Sequence, residues 1–88
     1  MNDPYLNLRN QLELEEWPNV YMFKFIVPNT SENIALTMEL FNSSSEITMH
    51  ESSSGKFISI TTKELMLDVN SIINIYIEAT KIKGLMAL

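Results

Sequence analysis

Ser52-Ser53-Ser54-Gly55-Lys56-Phe57-Ile58-Ser59-Ile60-Thr61-Thr62 joins a small polar turn directly to a run in which apolar residues alternate with polar ones. Gly55 is one of only two glycines in 88 residues, and it stands where a tight turn needs a residue that tolerates positive φ. The stretch predicts a hairpin. Ile47 and Met49 before the turn, with Ile58 and Ile60 after it, supply an apolar face. Thr48, His50, Ser59 and Thr61 fall on the opposite face, because successive strand side chains alternate. One face is core and the other is left open.

Upstream, Val20 to Val27 is the most strand-like run of the chain, rich in aromatic and β-branched residues and ended by Pro28. Lys24 sets its phase. Tyr21, Phe23, Phe25 and Val27 are expected inward, and Met22, Lys24 and Ile26 outward. Thr30 or Ser31 can cap a following helix whose core face is expected to hold Ile34, Ala35, Met38 and Phe41. The serine triplets at 43–45 and 52–54 read as loops bracketing a strand from Glu46 to about His50.

Downstream, the strand entered at Lys56 has no breaker before Asp68, a good helix N-cap. Val69, Ile72, Ile73, Tyr76 and Thr80 then recur at helical spacing, with Ile75 and Ile77 widening the apolar face. Gly84 to Leu88 reads as a short apolar strand paired in the sheet. At the other end, Tyr5, Leu8 and Leu12 form a short amphipathic helix that closes on Glu13, Glu15 and Glu16. Carboxylates there oppose the helix dipole, so the helix needs docking, and Trp17-Pro18 stops it and anchors it.

Residues 1–17 are thus an N-terminal amphipathic helix or arm, and residues 18–88 are the domain. Its order is strand, helix, strand, strand, helix, strand. Two right-handed crossovers interlocked in this way predict an α+β, ferredoxin-like βαββαβ sandwich. Its four-stranded antiparallel sheet carries two helices on one face, with the first and third strands central.

Composition narrows the chemistry. An apolar fraction of 45% and a charged fraction of 19% are those of a folded chain. With residues 1–17 peripheral, the packed unit is about 70 residues, near the lower limit for an independent core. The absence of cysteine removes disulfides and thiolate chemistry and fits an intracellular setting. No run approaches the roughly 18 apolar residues of a membrane span, and Met1-Asn2-Asp3-Pro4 lacks the basic start of a signal peptide. The expectation is a soluble, unprocessed, cytoplasmic chain with no membrane partner. Eleven acidic against six basic residues leave a net charge of −5, of which residues 1–16 carry −3.

His50 is the single histidine, so a metal site would need Glu46, Glu51 or other carboxylates to complete it. A serine nucleophile would need His50 as base and Asp68 or a glutamate as orienter, without any strained Gly-x-Ser-x-Gly elbow. No glycine-rich phosphate loop is present. Neither a catalytic residue nor a metal or cofactor site is therefore expected. The open face would show Phe57 as its one aromatic on an acidic chain, which argues against a nucleic-acid partner.

Beyond the residues taken singly, Ser52 to Ile60 resembles the signature of the YbeD-like family of small bacterial proteins of unknown function. That signature is two serines, a spacer, glycine, a spacer, an aromatic, a spacer, serine and a β-branched residue. Trp17-Pro18 resembles the aromatic-proline pair before that family's first strand. Tyr76 lies at a similar aromatic position in its second helix, and Lys83 to Leu88 resembles its apolar end. The resemblance spans residues 6–88. It departs at Glu51, where the family often has proline, and in the shortness of the first helix. It implies a ferredoxin-like, ACT-like fold of the kind used in regulatory domains, and no reaction.

What remains is a non-enzymatic regulatory or protein-interaction module. Its candidate interaction face is Met22, Lys24, Ile26, Phe57 and Ser59, which combine outward phase with apolar content. The partner is a protein or a second copy of the chain. The alternative is an ACT-like sensor binding an amino acid or similar metabolite at a subunit interface. A further possibility is that the N-terminal helix itself covers the open face.

Overall fold

A run of aromatic and β-branched residues with a period of two has to lie in a sheet with one face covered, and the first strand does so. In the computed structural model, which describes residues 3–42 and 45–88, the elements are α1 (Leu6–Leu12), β1 (Asn19–Pro28), α2 (Ser31–Met38), β2 (Glu46–Glu51), β3 (Phe57–Met66), α3 (Val69–Ala79) and β4 (Met86–Ala87). The readings made at Met1, Asn2, Ser43 and Ser44 lie outside the described residues. No helix among those described is long and apolar enough to cross a membrane.

Among the described residues the fold is α+β: one four-stranded antiparallel sheet in the order β2-β3-β1-β4, with three helices. β1 and β3 are central, paired over their full length from Asn19↔Met66 to Pro28↔Phe57. The hairpin forms at the expected place. Gly55 adopts φ +74°, its N–H bonds to the Ser52 carbonyl at 2.9 Å, and the Ser52 N–H reaches the Phe57 carbonyl.

The core follows the alternation. Phe23, Phe25 and Val27 of β1 and Ile60 of β3 are fully buried against the helices. Rings meet edge to face and tilted around Phe23, whose centroid lies 5.4 Å from Phe41 and 5.5 Å from Tyr76. Such contacts add to the area already removed from water.

Two helix faces differ from expectation. In α2 the buried residues are Thr37 and, just beyond the helix, Phe41, with Ile34 half-buried, whereas Ala35 and Met38 face out. A polar residue can take the core position because the Thr37 hydroxyl donates to the Asn33 carbonyl at 2.8 Å. In α3 the inner stripe is Val69, Ile72, Ile73 and Ala79, while Ile77 and Thr80 are exposed. The small Ala79 sits at the close approach instead of Thr80. Both caps form. Thr30 Oγ1 accepts from the Asn33 N–H, and Asp68 Oδ1 accepts from the Ser71 N–H.

The N-terminal helix docks on the helical layer. Leu12 is only 3% exposed and belongs to the main core cluster, Arg9 bonds to Asn70 of α3 at 2.6 Å, and α1 contacts α3. The Trp17 indole N–H donates to the Leu12 carbonyl at 2.8 Å, satisfying one of the acceptors left free at the helix end. Leu14, one residue off the stripe, is 87% exposed.

Candidate interaction face

With α1, α2 and α3 all packed on one side, the reverse of the sheet is left uncovered by any described helix. The register settles its membership. Directly opposed residues share a face, so Lys24↔Thr61, Ile26↔Ser59 and Pro28↔Phe57 lie together, as do Met22↔Lys63 and Val20↔Leu65. The five residues singled out from alternation, Met22, Lys24, Ile26, Phe57 and Ser59, therefore share this side. Met22, Lys24 and Phe57 are exposed, and Ile26 and Ser59 are half-buried.

The face is larger than those five. Val20 and Leu65 continue it along the same strands, and Met86 joins beside Ile26 through β4. All three are exposed. Val20 and Leu65 have the parity of Met22 and Phe57, so the alternation already pointed to them. Met86 depends on which strand β4 pairs with, a long-range fact.

Two lysines stand in this apolar field. Lys24 and Lys63 are diagonal neighbours on adjacent strands, which puts their Cα atoms about 7–8 Å apart. The ion pairs found among the described residues are Arg9 with Asp3 and Lys81 with Glu78, so neither sheet lysine is neutralised by a bonded carboxylate. Among the described strand residues of this face, Glu46 is the one carboxylate. On a chain of net charge −5, this is the side least hostile to an anion.

The groups weighed for catalysis or metal binding do not converge. His50 and Glu46 point to the open side of β2, while Glu51 has the opposite parity and accepts from the Asn29 amide at 2.9 Å. Asp68 is engaged as the α3 cap, with its carboxyl held below the usual aspartate range by the Ser71 main-chain N–H and then the Ser71 hydroxyl. No group of three or more His, Asp or Glu side chains able to hold a metal is found among the described residues.

On the helical side, a groove of about 430 Å³ runs between α2 and α3. Leu36, Leu40, Ile75 and Ile82 supply its apolar lining, and Glu39, Glu78 and Lys81 its charges. Lys81 Nζ already bonds both Glu78 oxygens, at 3.0 and 3.1 Å. Comparison with protein-family models, curated proteins and solved structures returned no match.

Proposed function

We propose that this chain is a non-enzymatic, ferredoxin-like βαββαβ domain of the YbeD-like kind, acting in the bacterial cytoplasm as a small regulatory or protein-interaction module. Read from the other edge, the strand order is β4-β1-β3-β2, the interlocked order expected of two strand-helix-strand halves. That order supports the ferredoxin-like reading. The serine-serine-x-glycine turn leading into Phe57, Ser59 and Ile60 supports the family.

The observation that carries the function is the uncovered sheet face. Exposed Val20, Met22, Phe57, Leu65 and Met86 surround Lys24 and Lys63 there, with Glu46 opposite Lys63, and the helix that stood as its alternative cover packs on α3 instead. A contiguous exposed apolar patch is the physical signature of a docking surface. Its chemistry suits a protein segment that presents apolar side chains and carboxylates together.

Capture from a bacterial lysate, run in parallel with the wild-type chain and a Met22→Glu, Phe57→Glu variant, tests this. Both positions are exposed, so the variant keeps its fold. A protein retained by the wild type and lost by the variant supports the reading. Retention of the same proteins by both overturns it.

The groove between α2 and α3 favours a second reading, a small-metabolite sensor. Its apolar lining and the carboxylate of Glu39 suit the side chain and ammonium of an amino acid. A thermal-shift panel of amino acids discriminates the two, since a ligand specific for the folded form raises the melting temperature.

A further inference from the structure

The outer edge of β2 is six residues long, regular in register and unprotected. Glu46 to Glu51 pairs with β3 without a bulge, from Glu46↔Lys63 to Glu51↔Ile58. It contains no proline and no lysine, two of the devices that ordinarily blunt a sheet edge, and its carboxylates, Glu46 and Glu51, stand at its two ends. The Ser52 N–H bonds to Phe57 of β3, so by alternation His50, Thr48 and Glu46 also direct their backbone groups to β3. The N–H and C=O groups of Ile47, Met49 and Glu51 then point away from the sheet. No backbone hydrogen bond to them is found among the described residues.

We propose that this edge is completed by β2 of a second copy of the chain, antiparallel and centred on Met49. The register follows from counting and from charge. With Met49 opposite Met49 of the partner copy, Ile47 meets Glu51 and Glu51 meets Ile47, so all three outward-facing residues pair and make about six main-chain hydrogen bonds. A shift by two residues in either direction leaves only about four. The charges also fit themselves: Glu46 and Glu51 lie on opposite faces of β2, so no two carboxylates become directly opposed. Thr48 meets His50 on the open side. Met49, 47% exposed in the single chain, is covered by its own counterpart across the two-fold axis.

The result is a continuous eight-stranded sheet whose two open faces merge into one surface. The pairing uses backbone groups of β2 alone. It therefore stands or falls independently of the partner proposed for the β1 and β3 face.

The absence of cysteine makes the test direct, because Met49→Cys introduces a lone thiol. In the proposed register the two Met49 Cα atoms are about 5.5 Å apart, within the roughly 4.4–6.8 Å that a disulfide spans. The two Glu51 positions are about 14 Å apart, four residues along the strand and one strand spacing across. Mild oxidation is expected to link the Met49→Cys chain into a dimer and to leave Glu51→Cys largely unlinked. In sedimentation, the wild-type chain is expected at twice its 10.1 kDa mass.

Met49→Pro removes only a donor that faces away from β3 and so spares the hairpin ladder. It is expected to weaken dimerisation at least roughly tenfold with an unchanged circular dichroism spectrum. A wild-type chain that stays monomeric up to about 1 mM, a dimer indifferent to Met49→Pro, or linkage of Glu51→Cys as fast as Met49→Cys would each overturn the proposal.

Discussion

The hydroxyls of Tyr21 and Tyr76 lie 2.9 Å apart and join β1 to α3 beside the aromatic core. Burial first, and the bond to Tyr21 second, push the ionisation of Tyr76 above the ordinary tyrosine range. The folded state thus holds this proton more tightly than the unfolded chain, which releases it at about pH 10. The stability linked to it is complete below that pH and is lost as pH rises toward the higher folded value. Tyr76→Phe is expected to cost about 0.5–1.5 kcal/mol at neutral pH while flattening the alkaline fall. Urea denaturation of both proteins at neutral and alkaline pH measures the two effects together.

Thr62 offers the opposite case. Its hydroxyl is buried between Phe23 and Ile47 in the sheet register and has no hydrogen-bond partner among the described residues. Thr62→Val keeps the branched shape and removes the unsatisfied group. The variant is expected to be more stable by about 1 kcal/mol, read as a raised denaturation midpoint at unchanged slope.

The two glycines answer to different constraints. Gly55 needs its φ of +74°, but a Cβ there meets only the flexible Glu51 carboxylate, at 3.2 Å. At Gly84, φ is +82° and a Cβ would stand 2.8 Å from Cγ of Pro28, a ring that cannot swing aside. Gly55→Ala is expected to cost about 1–2 kcal/mol and Gly84→Ala more, with loss of the β4 pairing. Hydrogen exchange at the Leu88 amide, which bonds the Lys24 carbonyl, reports that loss.

On the acid side, Asp68 is held below its ordinary range by its cap bonds to Ser71. A depressed folded value means that the contribution is present above the unfolded pKa, about 4, and disappears as pH falls through the lower folded value. Asp68→Asn keeps an N-cap acceptor and removes this titration. Its stability is expected to fall less steeply than that of the wild type in acid, as thermal unfolding across the acid range measures.

The parts of the fold legible in the sequence are those with strong local periodicity. Lys24 phased β1 because a single charge in an aromatic run admits one orientation, and Gly55 marked the turn because positive φ excludes most other residues. The α2 face was misread at Ala35 and Met38, since a threonine that satisfies its hydroxyl within its own helix cannot be told from a solvated one by hydropathy. Ala79 was missed for a related reason: its burial reflects close approach of elements, not hydrophobicity. Of the open face, Met22, Lys24, Ile26, Phe57 and Ser59 follow from alternation alone. Met86 does not, because a two-residue strand has no period, and the docking of α1 on α3 rests on Arg9, Asn70 and Leu12 meeting across the chain.

Amide chemical-shift mapping of the isotope-labelled chain with a captured protein partner tests the proposed interaction face most directly. The account predicts shifts concentrated at Met22, Lys24, Ile26, Phe57 and Ser59, with Leu36 and Ile75 in the helical groove unmoved. Shifts confined to Leu36, Ile75 and their neighbours, with the sheet face silent, would contradict it.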